Sequence, residues 1–347
     1  MSEPTPPLAT PEVQYFRPVP QWVPGPPSQR YWLHALLLLA TCFTTLVMGA
    51  RMQYNFAHGR PALSFTDELI GGEPIPFFPA SWIRTHPARL LGGLPFMLTL
   101  MLFFMAHEMG HYLYCRRYGV HATLPFFIPA PTPIGTMGAV IIIRSRIRSR
   151  TALFDIGIAG PIAGFVVALL VLAVSLAWSK PMNPNAAATD YQFGFPLIFP
   201  LMQELLAGMG WLRGVAALPL DRLLMHPVAI AAWIGMLATS LNLLPGGQLD
   251  GGHIVFSIVP RVHKIVSRLT ILVLLVMAYY LWTGWFVWSI LLWLSSFRHP
   301  QVAEWPHVSG KRIWLAVFAL CMLALTLTPA PFLHSSLPEV IRDFRGQ

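Results

Sequence analysis

Two imidazoles stand four residues apart in Ala106-His107-Glu108-Met109-Gly110-His111, with a carboxylate directly after the first. On an α-helix, positions four apart lie about 40° apart around the axis and one turn apart along it, so both rings can reach one ion. Neutral imidazole is a zinc ligand, and a catalytic zinc takes three protein ligands and leaves a position for water. Glu108 projects about 100° around the helix from His107, where it can touch that water without ligating. The expected role is general base: Glu108 takes the proton of a water attacking a carbonyl such as that of a peptide, then returns it to the leaving amine. The competing reading is a helix with two packed histidines. It is weak here because the motif lies in an apolar run, where each ionisable group costs free energy unless it is used.

A third ligand must come from elsewhere in the chain. Asn242-Leu243-Leu244-Pro245-Gly246-Gly247-Gln248-Leu249-Asp250-Gly251-Gly252-His253 closes a later apolar run, and its proline and glycines break the helix at an acidic residue. A carboxylate at such a break can approach a metal held by another helix, and coordination offsets the cost of burying it, so Asp250 is the expected ligand. A solvated loop aspartate is the alternative. His253 is a weaker ligand candidate, since a histidine in a loop near the interface is ordinary. Asn242 donates to a developing oxyanion or holds substrate backbone, against the more ordinary role of an Asn at a helix end, a cap.

Composition says what must position these groups. Of 347 residues 55% are apolar and 11% charged, against roughly 25% charged in an average soluble domain, and the mean hydropathy is +0.58. A water-soluble enzyme is excluded, and lipid is the expected surroundings. The net charge of +9 does not mark a nucleic-acid surface, because 20 of the 23 basic residues are Arg that mostly flank apolar segments. Cys42, Cys115 and Cys321 are too far apart for a disulfide framework or a thiolate zinc site. Three acidic residues fall within apolar runs: Glu108, Asp155 and Asp250. Asp155 follows a run of alternating arginines, and an ion pair with Arg150 or a helix cap is its expected role.

The expected fold class is α: a polytopic membrane helix bundle of about 6–7 spans with a short re-entrant β element beside the active site. Runs of spanning length fall at about 31–50, 90–115, 152–178, 226–244 and 312–330. The stretch 269–297, interrupted at Thr283-Gly284, reads as a hairpin of two short helices, and 195–211 as an interfacial or re-entrant helix. Between the second and third runs, four prolines from Pro125 to Pro133, then Gly135-Thr136-Met137-Gly138-Ala139 and the β-branched Val140 to Ile143, predict a short strand or hairpin. Irregular backbone at membrane depth must pack on protein or line a wet cavity. Residues 1–30, with nine prolines and no apolar core of a signal peptide, read as an extended arm.

These motifs together resemble the site-2 protease family of intramembrane zinc metalloproteases, peptidase family M50. The resemblance rests on His107-Glu108-Met109-Gly110-His111, on Asn242, Pro245 and Leu249-Asp250-Gly251-Gly252, and on the glycine-rich Asp155-Ile156-Gly157-Ile158-Ala159-Gly160-Pro161 with Gly164-Phe165, over residues 90–260. Phe126-Phe127-Ile128-Pro129 and Gly135-Thr136-Met137-Gly138-Ala139 are similar to the branch of plastid ethylene-dependent gravitropism-deficient and yellow-green proteins and their bacterial relatives. The resemblance implies three core spans around zinc, a re-entrant strand beside the site, and cleavage of membrane-embedded proteins after local unfolding. Because helical peptide bonds are shielded, an edge strand from Met137 to Ile143 would take the substrate extended, with Gly135, Met137, Gly138 and Ala139 as substrate-binding candidates beside Asn242. A strand that only packs the core is the alternative.

The resulting expectation is an arm at 1–30, a first span and outer loop at 31–89, a catalytic core at 90–260 and C-terminal spans and tail at 261–347. One Zn2+ per chain is held by His107, His111 and Asp250, with Glu108 catalytic. The partners are a membrane protein with a transmembrane segment and the bilayer, without nucleic acid and without an inserted PDZ or CBS domain. Of the 23 Lys and Arg residues, 14 fall on the side of the N-terminus. This predicts a cytoplasmic N-terminus with the active site toward the cytoplasmic side, and the absence of a transit-peptide composition suggests a bacterial inner membrane. The rival class is a metal or solute transporter using the His/Asp cluster as a transit site, which usually shows paired broken helices in two halves that are not visible here.

Overall fold

The computed structural model describes residues 29–64, 80–182, 192–212, 218–296 and 308–345. The expected arm at 1–30 therefore lies outside the described residues but for its last two, as does part of the outer loop. In chain order the helices and strands are α1 Tyr31–Ala57, α2 Ala80–Thr85, α3 Leu94–Arg117, β1 Phe126–Pro129, β2 Thr136–Val140, α4 Arg150–Leu176, β3 Lys180–Pro181, α5 Ile198–Gly208, β4 Leu223–Leu224, α6 Pro227–Leu243, α7 Asp250–Ile258, α8 Pro260–Tyr280, α9 Gly284–Ser295, α10 Lys311–Thr326 and α11 Leu337–Arg345. The protein is mostly helical. Four helical segments, α1, α3 with the 3₁₀ turn before it, α4 and α8, are long and apolar enough to cross a membrane.

Local sequence sets the ends of the helices that carry the site. Pro95 stands in the first turn of α3, where its missing N–H has no helical partner to lose, and the helix stops at Tyr118 before Gly119, which takes a positive φ. Ser149 caps α4 by accepting from the Ala152 N–H at 3.1 Å. α6 opens with Pro227 and ends where Leu244, forced out of helical ψ by Pro245, turns the chain toward α7. Gly251 and Gly252 pack onto the carbonyls of Leu243, Leu244, Gly246 and Gly247 so closely that a Cβ at either would collide with backbone. That contact holds the start of α7 on the end of α6.

α3, α4 and α6 form the centre. Fourteen of the 17 residues of α6 are buried, on every face, so this short helix is enclosed by the others. Phe103 and Phe104 of α3, Phe154 and Phe165 of α4 and Met236 of α6 lie in the one core cluster that spans all three. Helices in lipid gain little by transfer alone, and small residues at their contacts permit the packing that holds them. Gly110 of α3 against the Ala159 carbonyl of α4 is one such contact. By contrast α8 turns Leu269, Leu272, Val273 and Val276 outward, and α9 and α10 likewise carry exposed Leu, Val and Trp, as a hydrocarbon-facing surface requires. α8 ends at Tyr280 and α9 restarts at Gly284, so the interruption read at Thr283-Gly284 separates two helices that fold back on each other. α5, within 195–211, has 11 residues and packs against α4.

β1 and β2 form an antiparallel hairpin with Phe126 opposite Val140 and Phe127 opposite Ala139, irregular between Phe127 and Pro129. A further bridge pairs Ala122 with Ile143, extending the ladder toward α3 and α4. Among the described residues this sheet has two strands, leaving the far edge of β2 without a partner strand. The hairpin leans on α1: the Thr44 hydroxyl donates to the Gly135 carbonyl at 2.6 Å, and the His34 Nδ1 lies 3.2 Å from the Pro125 carbonyl with its ring stacked 4.0 Å from Phe126. Gly135 has a φ of +80°, and its Cα faces the α1 backbone at Thr44 and Thr45 too closely to admit a side chain. β3 and β4 form a second, two-residue ladder.

Candidate metal centre

His107, Glu108 and His111 are all buried on α3, and Asp250 is the first residue of α7. His107 Nε2 and His111 Nε2 are 3.2 Å apart, and Asp250 Oδ2 lies 3.4 Å from the first and 3.3 Å from the second. Tetrahedral bonds of about 2.0–2.1 Å place neighbouring ligand atoms about 3.3–3.4 Å apart, so this near-equilateral triangle has the spacing of three zinc ligands. Two imidazoles and a carboxylate are also a donor set that zinc accepts. His253, the weaker ligand candidate, lines the same cavity but is outside the triangle.

The orientation of the rings is built into α4. The His111 Nδ1–H donates to the Ile156 carbonyl at 2.7 Å, which leaves the Nε2 lone pair for a metal. Gly160 lies against the same imidazole, and a Cβ there would stand 2.1 Å from His111 Nε2, far inside contact distance. At Gly164 a Cβ would stand 3.1 Å from His107 Nδ1. Gly160 and Gly164 of α4 therefore make room for the two imidazoles.

A cavity of about 270 Å3 opens on the triangle, lined by Glu108, Ala139, Ile141, Gly157, Asn242 and Leu249 among others. The backbone of Ile141 faces the Glu108 carboxylate. Asn242 points its Nδ2 to within 3.3 Å of His107 Nε2, into the site and away from the end of its own helix. Of the substrate-binding candidates on the hairpin, Ala139 reaches the cavity, whereas Gly135 packs on α1, Gly138 on the Phe104 ring, and Met137 is exposed at 69%. The cavity is met by the later part of the edge strand expected from Met137 to Ile143. Val140, Ile141 and Ile143 line it, and their signal was the β-branched run itself.

Asp155 does not belong to this triangle. Its two oxygens accept from the Arg312 Nε and Nη2 of α10, both at 2.8 Å, and Oδ2 also accepts from the Tyr118 hydroxyl. The expected structural role is kept, but the forked ion pair reaches across the fold to α10, and the cap of α4 is Ser149.

The family model for peptidase family M50 matches residues 95–282, which hold all three residues of the triangle. The chain belongs to peptidase family M50. As an M50 chain it has the site-2 protease ancestry that its motifs resemble, in the plastid branch. It is 30% identical over 248 residues to the Arabidopsis thaliana protein "Probable zinc metalloprotease EGY2, chloroplastic", covering 70% of this chain and 43% of that protein. It is 29% identical over 312 residues to the Arabidopsis "Probable zinc metalloprotease EGY1, chloroplastic", covering 88% and 54%, and 30% identical over 237 residues to the rice (Oryza sativa subsp. japonica) EGY1, covering 66% and 38%. This M50 chain thus spans about half the length of the curated relatives it matches. The transporter reading finds no support among them. The chloroplastic relatives also overturn the expected bacterial inner membrane, and with it the cytoplasmic placement of the N-terminus and site; they point to a plastid membrane. The physical reason is that hydropathy and basic-residue asymmetry report a bilayer and an orientation but do not say which membrane it is.

Proposed function

We propose that this M50 chain is a zinc-dependent intramembrane endopeptidase that cleaves membrane-embedded protein substrates, with residues 90–260 as its catalytic core. The single observation that carries the reading is the triangle of His107 Nε2, His111 Nε2 and Asp250 Oδ2 at zinc spacing, with Glu108 buried on the same helix as the two imidazoles. One Zn2+ per chain, held by those three residues, would polarise a water and lower its pKa toward about 7. Glu108 takes the proton of the attacking water on its carboxylate and delivers it to the nitrogen of the leaving amine. The Asn242 Nδ2–H donates to the substrate carbonyl oxygen as charge builds there.

The hairpin supplies the substrate platform. An extended substrate segment adds to the free edge of β2 and of the residues that follow it, its backbone pairing along Ala139 to Ile143, which brings one carbonyl over the cavity. On this reading the hairpin is re-entrant. α6, α9 and α10 join the four long helices as spans, and α5 lies at the interface, making about seven spans in a plastid membrane.

Glu108→Gln separates chemistry from metal binding. The variant is expected to retain one zinc per chain by elemental analysis while cleavage of a reconstituted transmembrane substrate falls by at least about 100-fold, the lower end of the contribution of a general base. Cleavage at the unaltered rate would sink the mechanism, and zinc lost together with activity would move Glu108 into the ligand set.

A further inference from the structure

A second and larger cavity, about 550 Å3, opens on the other side of α3 and α4 from the metal centre and shares no lining residue with it. α3 and α10 form its walls and α4 its floor. Its two ends differ in chemistry. At one end stand Arg117, Lys311 and the Asp155–Arg312 ion pair, with Tyr114 a turn deeper; toward the other, the lining is Leu113, Ile158, Ile162 and Leu315 over the small Gly110, Ala159 and Ala163. Asp155 and Arg312 satisfy each other. Arg117 and Lys311 are exposed, and neither side chain makes an ion pair or hydrogen bond with another described residue. The crevice therefore carries a surplus of two positive charges, both at one end.

That polarity runs along the helix axes. From Asp155 to Ile162 on α4, and from Arg117 to Gly110 on α3, is seven residues, or about 10 Å of rise, so the apolar trough extends from the charged rim toward membrane depth. Cations at the rim of a bilayer with an apolar channel below them complement an amphiphile with an anionic head and an acyl chain.

We propose that this crevice is a binding site for one phospholipid with an anionic head group. The phosphate lies between Arg117 and Lys311, and an acyl chain lies in the trough along Leu113, Ile158, Ile162 and Leu315. Ala159 and Ala163 keep the floor low enough for the chain. The lipid would thereby fill the space between α10 and α3 that protein side chains leave open.

Native mass spectrometry of the full chain, released from vesicles of equal parts phosphatidylglycerol and phosphatidylcholine, tests the assignment. The expected result is one retained phosphatidylglycerol per chain, enriched over phosphatidylcholine by at least about fivefold. Arg117→Gln with Lys311→Gln should abolish the enrichment, while Arg144→Gln with Arg146→Gln, basic residues outside the crevice, should leave it unchanged. Ala163→Leu should lower lipid retention by filling the trough without altering charge. Enrichment that survives the double variant, lipid retained without regard to head-group charge, or a second copy of the chain in place of the lipid would overturn the proposal. Millimolar inorganic phosphate should not displace the lipid; if it does, the site reads a phosphate alone and the lipid assignment fails.

Discussion

At the residue scale the metal triangle depends on an atom that is missing. Gly160 has no Cβ, and the His111 imidazole uses the vacated space to reach its neighbours. Gly160→Ala is expected to push the ring off the triangle and to reduce bound zinc well below one per chain, measured by elemental analysis of the purified protein. Full zinc occupancy in that variant would show that α4 yields and that the contact does not position the ligand. His107, Glu108, His111 and Asp250 were legible as short motifs because helix geometry relates neighbours in sequence directly to neighbours in space. Gly160 against His111 was not, because that contact depends on how two helices cross, which no spacing within one of them encodes. The same holds for the Ile156 carbonyl that orients the ring: it is a backbone atom and carries no residue signature.

At the scale of elements, the hairpin was foreseeable from its prolines, Gly135 and β-branched run, but the support beneath it was not. Thr44 and His34 lie in an apolar stretch of α1 about 90 residues from the atoms they touch, and nothing in that stretch marks them as more than span residues. The Thr44 hydroxyl holds the turn at Gly135, and β2 follows immediately. Thr44→Val keeps shape and removes the donor. If β2 aligns the substrate, this change should lower cleavage severalfold while leaving zinc content intact, because the triangle stands on α3 and α7. Cleavage and zinc content measured on one preparation would separate the two effects; undiminished cleavage would mean that packing alone holds the hairpin.

For the whole molecule, composition made the membrane setting plain, while the closure of the bundle was hidden. Asp155 and Arg312 are 157 residues apart and join the start of α4 to the start of α10 by a forked pair. Asp155→Asn removes the charge and should cost about 1.5–3 kcal/mol, the usual contribution of hydrogen bonds to a charged group. A thermal melt in detergent should show the loss, and an unchanged melting temperature would reduce the pair to a surface contact. The two imidazoles and the carboxylate of the metal triangle are likewise remote in sequence, Asp250 lying 139 residues beyond His111. An ion shared by them acts as a cross-link that closes a loop containing α4, α5 and α6, and its binding free energy becomes conformational free energy of the bundle. On the proposed function, zinc supply would be coupled to the persistence of the folded protein in its membrane as well as to catalysis, and a compartment depleted of zinc would hold a looser bundle, more open to degradation.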